Sequence, residues 1–178
     1  MKEPPLSSRL IVGALAGLTA TSFMTAAMRR LHTRLPAIDR YPLPPREITE
    51  RLAPEGMREA GSRDASLLAH FGYEAATGAL IAAAGTRKSD VTGAALGLGI
   101  WAASYFGWVP AFGILAPADE HPPQRNALMI GVHLVWGALT SWTIRELTSA
   151  RRSMLAGGPL RDAPARRAKD GPVKGDYR

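Results

Sequence analysis

Cysteine is absent from this chain, which excludes disulfides, thiolate metal sites and a cysteine nucleophile, and leaves redox compartment unmarked. Ionisable side chains are missing from two long stretches, Leu10 to Met28 and Val91 to Leu115. Two more, Leu67 to Ala84 and Ala127 to Ile144, hold only His70, Glu74 and His133. That scarcity argues against a soluble four-helix bundle, whose outer face shows polar residues at every third or fourth position; Gly13 to Ala27 offers only Thr and Ser for contrast. Interleaved aromatic and basic residues are also lacking. A net charge of +7 therefore does not point to nucleic acid as a partner. No HExxH and no complete catalytic constellation can be read, so no catalytic residue is assigned, no cofactor is required, and the chain reads as a non-enzyme. The first run is long for a signal-peptide core and is followed by Arg29-Arg30 without an A-x-A site, so it reads as a retained helix.

What is present is four apolar runs of bilayer length. At 1.5 Å per residue, runs of 18 to 25 residues span a hydrocarbon core about 30 Å thick. The mean hydropathy of -0.05 hides this segregation of apolar runs from Arg-rich connections. The expected fold is an all-α integral membrane four-helix bundle over residues 10–144, with helices at 10–28, 67–84, 91–115 and 127–144. Residues 1–9 are read as a polar start, kept out of the first helix by Pro4-Pro5. Residues 145–178 are read as a basic, disordered tail, apart from an extension of the fourth helix toward Arg152.

In the long first connection, Pro36, Pro42, Pro44 and Pro45 break the first half. The second half reads as a short amphipathic helix, with Ile48, Leu52 and Met57 among Arg46, Glu47, Glu50, Arg51, Arg58 and Glu59. Such a segment lies either on the bilayer surface or in solvent. The turn at 85–90 makes the second and third helices an antiparallel hairpin, and Gly107, Pro110 and Gly113 predict a kink or early end in the third. With both termini inside, 13 Lys and Arg fall on the cytoplasmic side against 9 outside, eight of the latter in residues 29–66. The first connection offsets its Arg with six acids, so cytoplasmic termini are favoured.

A two-helix unit used twice is a further expectation. The first run contains Gly13-Ala-Leu-Ala-Gly17-Leu18 and the third Gly93-Ala-Ala-Leu-Gly97-Leu98. The second contains His70-Phe-Gly-Tyr73-Glu-Ala75 and the fourth His133-Leu-Val-Trp136-Gly-Ala138. Such a unit gives repeats related by an axis along the membrane normal. Glycines four apart leave a groove for close helix approach, so Gly13, Gly17, Gly93 and Gly97 serve either packing within the bundle or a homo-oligomer.

An ionisable side chain at membrane depth costs roughly 2.5 to 3.5 kcal/mol when charged, so His70, Glu74 and His133 require a reason. Spacing of i, i+4 puts His70 and Glu74 on one side of their helix, and all four histidines fall toward one membrane face. Imidazole and carboxylate together can pass protons or bind a divalent metal, with Glu120 and His121 as additions. The alternative is structural: His70 and Glu74 satisfy each other, and His133 bonds a Ser or Thr.

With G-A-x-x-G in the first helix, Tyr41-Pro-Leu-Pro-Pro45-Arg-Glu-Ile-Thr-Glu-Arg-Leu52 in the first connection, and His70 leading the second helix, the chain resembles the small YagU-like bacterial inner-membrane proteins over about Leu10 to Arg145. The resemblance implies a bacterial inner-membrane location and carries over no catalytic residues; the basic tail lies outside it. The expected function is a multi-pass protein whose His/Glu cluster binds protons or a metal ion in transport, sensing or envelope maintenance. The competing expectations are an assembly module that packs a membrane partner through its glycine faces, and a lipid- or quinone-directed enzyme.

Overall fold

The computed structural model describes residues 4–54, 56–85 and 89–156, and its regular structure there is entirely helical. Most of the expected tail, 157–178, lies outside the described residues. The chain divides into a unit of residues 1–148 and a short one of residues 149–178, whose described part is the last helical turn and the bend after it.

Helix α1 (Leu6–His32) starts directly after the proline pair, with Pro5 in extended geometry as its N-cap, and its last turn carries Arg29, Arg30 and His32 against the negative end of the helix dipole. The polar start thus ends at residue 5, because nothing from Leu6 to Arg9 opposes helix. Pro44 and Pro45 occupy the first turn of α2 (Pro44–Leu52), where a missing N–H costs nothing. Helix α2 ends before Pro54, and Met57 falls outside it. Helix α3 (Glu59–Ala83) begins eight residues before the apolar run, stabilised at its start by Arg63 bridging to Glu59 at 2.8 Å.

Ser89 caps α4 (Asp90–Ala103), its Oγ accepting from the Thr92 N–H at 3.1 Å. A π-helical turn over Ser104–Trp108 follows, with Gly107 at φ -111, ψ -107, and leads into the single turn α5 (Val109–Ala111). The far end of the third run therefore breaks at Gly107 and Pro110, and the chain reverses at Gly113, φ +64. Helix α6 (Pro123–Arg152) is longer than its apolar run at both ends. By length and composition, α1 and α6 can each cross a membrane.

Glycines set the packing. A Cβ on Gly78 would stand 2.9 Å from the Gly17 Cα, and one on Gly13 would stand 2.6 Å from the Ala82 Cβ, so α1 and α3 touch backbone to backbone. Ascending from Gly13 to Gly17 moves the contact from Ala82 back to Glu74, which makes the pair antiparallel. The same arrangement recurs between α4 and α6. Gly93 faces Gly137 and Ser141, and Gly97 faces the His133 carbonyl. The two pairs therefore share one packing scheme, but its register equates Glu74, not His70, with His133. The sequence alignment of the repeat was one helical turn out, because it matched histidines instead of Gly78 with Gly137. Trp136 of α6 ties the pairs together, its Nε1–H donating to the buried Thr21 Oγ1 at 3.1 Å.

The exterior carries large apolar side chains, and the interior mixes an apolar core that includes Met24, Ile81, Val132, Trp136 and Ile144 with small and hydroxylated residues. Gly, Ser and Thr fill much of the buried interface, including Thr21, Thr140 and Ser141 at 2% exposure or less. Large apolar side chains point outward: Ile11 is 63% exposed, Phe23 59%, Leu68 73% and Leu80 66%.

Candidate functional site

The ionisable residues of the apolar runs meet at one cavity of about 280 Å³. Helix α3 supplies His70 and Glu74, one turn apart on the same face, and α6 supplies His133 at the position equivalent to Glu74. Met24 of α1 and Met129 of α6 add apolar surface. The π-helical turn brings Tyr105 and Trp108 to the wall beside Trp101, with Tyr73 of α3 opposite. Helix α2 closes one side through Pro44, Pro45, Ile48, Thr49 and Leu52. Its apolar face is thus spent on the cavity, a different use from the bilayer-surface or solvent placements expected from sequence. His70 also borders a second, more open depression next to Arg46 and Arg63.

Hydrogen bonding within the site is sparse. His70 Nε2 pairs with Thr25 Oγ1 of α1 at 3.3 Å, not with Glu74. His133 Nδ1 lies 2.7 Å from the Met129 carbonyl; a carbonyl cannot donate, so Nδ1 carries the hydrogen and Nε2 is left as the acceptor of the neutral ring. Glu74 is 2% exposed, and its carboxylate receives only the Thr77 hydroxyl at 3.4 Å, a proton that the Tyr73 carbonyl also accepts at 3.0 Å. The Trp101 indole N–H is buried with no acceptor. The hydroxyls of Thr49 and Ser104 are already engaged by the Pro45 and Ile100 carbonyls. Glu120 and His121 stand outside the cavity lining. Among the described residues, no three His, Cys, Asp or Glu side chains gather closely enough to hold a metal ion.

A second cluster pins α2 in place, and sequence reasoning missed its centre. Arg125, 3% exposed near the start of α6, donates to the carbonyls of Asp39 at 3.2 Å, Tyr41 at 2.9 Å and Pro42 at 2.8 Å. Its guanidinium also pairs with Glu47 at 3.1 Å and lies 3.4 Å over the Tyr41 ring. Burial pushes the Glu47 carboxyl above its ordinary range despite the pull of Arg125. His32 and His121 belong here: His32 Nε2 meets the Tyr41 carbonyl at 3.0 Å, and His121 Nδ1 meets the Tyr41 hydroxyl at 3.4 Å. The signal available in the sequence was isolation, since Arg125 is the only Lys or Arg between Val91 and Ile144.

No protein family, curated protein or solved structure matches this chain. Its function has to be argued from these residues.

Proposed function

We propose that the chain is a multi-pass membrane protein in which α1, α3, α4 with its π-helical extension, and α6 cross the bilayer, and that its cavity exchanges protons through Glu74, His70 and His133 in transport or sensing. The observation that carries the membrane reading is the apolar exterior: Leu, Ile and Phe face outward along α1 and α3, while glycine contacts join the helices inside. Water penalises that exterior, whereas lipid solvates it and leaves helix association to close glycine contacts. The proton reading is favoured over a metal because the two histidines and Glu74 share a cavity without forming a ligand set. The Lys and Arg distribution supports cytoplasmic termini, and the motif residues above support a place beside the YagU-like proteins of the bacterial inner membrane.

A cysteine-free chain makes the test simple. Single substitutions Gly56→Cys and Asp119→Cys should label with an impermeant maleimide from the outer side, and Ser7→Cys and Ser89→Cys from the cytoplasmic side. If Ser89→Cys labels together with Gly56→Cys, α3 and α4 do not cross. For the site, dicyclohexylcarbodiimide adds to protonated carboxyls in apolar surroundings, so it should modify Glu74 in intact membranes; a Glu74 left unmodified refutes proton exchange there.

A further inference from the structure

We infer that the cavity binds a small organic cation, an amine or quaternary ammonium carrying an apolar group; this rests on the reading of Glu74 as an accessible, exchangeable carboxyl. The argument starts from charge. Glu74 is the sole carboxylate among the described lining residues, and no Lys or Arg accompanies it. An ionised carboxylate at 2% exposure needs a counter-charge, and the Thr77 hydroxyl is a poor substitute. No Lys or Arg stands on this wall, and the His70 and His133 rings are engaged by Thr25 and the Met129 carbonyl, so the charge must come from a proton or a ligand. An anionic ligand would face Glu74 with nothing to offset it.

The remaining wall selects the kind of cation. Trp101 and Tyr105 stack with centroids 5.8 Å apart, and Tyr73 and Trp108 form a second pair at 6.1 Å. Four aromatic rings lining the same cavity as one carboxylate suit a soft, weakly hydrated cation that gains from ring faces. An inorganic ion has little to hold it. Hard cations require several oxygen ligands, whereas Glu74 is the one carboxylate among the described lining residues and no group of three His, Cys, Asp or Glu side chains there could hold a metal ion. The other titratable groups facing Glu74 are His70, Tyr73, Tyr105 and His133; α1 contributes Met24 and α2 only uncharged residues. A cavity of about 280 Å³ limits the ligand to roughly one ring and a small ammonium head.

The test compares charge at constant shape. The full chain, in nanodiscs of uncharged lipid, is treated with dicyclohexylcarbodiimide in the presence of benzyltrimethylammonium or of neopentylbenzene, its uncharged isostere, and modification of Glu74 is followed by mass spectrometry. The ammonium should slow modification about tenfold or more, and the hydrocarbon less than about twofold. Equal protection by both probes would overturn the cation inference and leave the exchangeable carboxyl standing, as would protection by neither. Absence of any Glu74 modification would overturn both. As an independent readout, benzyltrimethylammonium should quench tryptophan fluorescence in the parent and in Glu74→Asp but not in Glu74→Gln; undiminished quenching in Glu74→Gln overturns the inference.

Discussion

Arg125→Ala isolates the energetics of the α2 lid. The side chain makes three hydrogen bonds to backbone carbonyls of residues 39–42, an ion pair to Glu47 and a face contact with Tyr41, all from 3% exposure. Removing one partner of a buried ion pair costs about 3–5 kcal/mol, and the lower end applies here because Glu47 and the carbonyls regain water once the segment lifts. At 1.4 kcal/mol per tenfold, about 3 kcal/mol shifts the docked-to-undocked ratio of α2 by roughly 100-fold. Thr49, 8% exposed and lining the cavity, is the reporter. In a chain otherwise free of cysteine, the thiol introduced by Thr49→Cys should react with maleimide slowly in the parent and some 100-fold faster with Arg125→Ala. Arg125→Lys should fall between, since an ammonium cannot reproduce the planar fork or the stacking on Tyr41. A reaction rate unchanged by Arg125→Ala would refute the claim that this arginine holds the lid.

Two further outcomes follow from geometry and charge. Gly17→Ala and Gly97→Ala should each cost about 1–3 kcal/mol in thermal unfolding in detergent, because the new Cβ meets the Glu74 or His133 carbonyl across the helix pair, whereas Gly131→Ala, with open space around it, should be neutral or gain up to about 1 kcal/mol. Tolerance of both interface substitutions would mean the pairs are not held by glycine contact. Acid should loosen α2: Arg46, which also bonds Glu50, reaches across to Glu59, and Arg46 and Arg63 together hold the Glu59 carboxyl below its ordinary 4.5. A depressed carboxylate contributes stability that is complete above the ordinary value and lost as pH falls through the lower folded one. Thiol reactivity in Thr49→Cys, taken relative to a free thiol at the same pH because the thiolate fraction falls with acid, should therefore rise below about pH 4.5, measured with Glu47→Gln in place because burial shifts Glu47 the opposite way. A flat profile would remove Glu59 from the account.

What could be read from the sequence was whatever depends on local composition. The helices, the break at Gly107 and Pro110 and the helix after Pro44-Pro45 follow from apolar runs and backbone rules. The extension of α6 to Arg152 was legible too, but the early starts of α3 and α6 were not, because charge marks where lipid should stop, whereas both helices begin in polar sequence that nothing interrupts. His70, Glu74 and His133 were identified by their cost, yet their partners were not: i, i+4 spacing permits a His70–Glu74 bond but does not compete with Thr25 arriving from α1. The Tyr73–Trp108 pair of the aromatic wall and the Arg125 clamp depend on contacts between residues more than 30 apart, for which the chain carries no local sign.

The recurrence of one packing scheme also explains why the polar residues converge. In each pair, a backbone carbonyl on the second helix, at Glu74 or His133, faces the second glycine of the first helix's motif, at Gly17 or Gly97. These are equivalent places in the two helix pairs, so residues 74 and 133 hold corresponding positions on α3 and α6. A carboxylate at one position and an imidazole at the other place an acid and a base around one cavity, while Trp136 reaches from α6 to Thr21 on α1. The asymmetry that makes a site arises within a packing scheme that both helix pairs share.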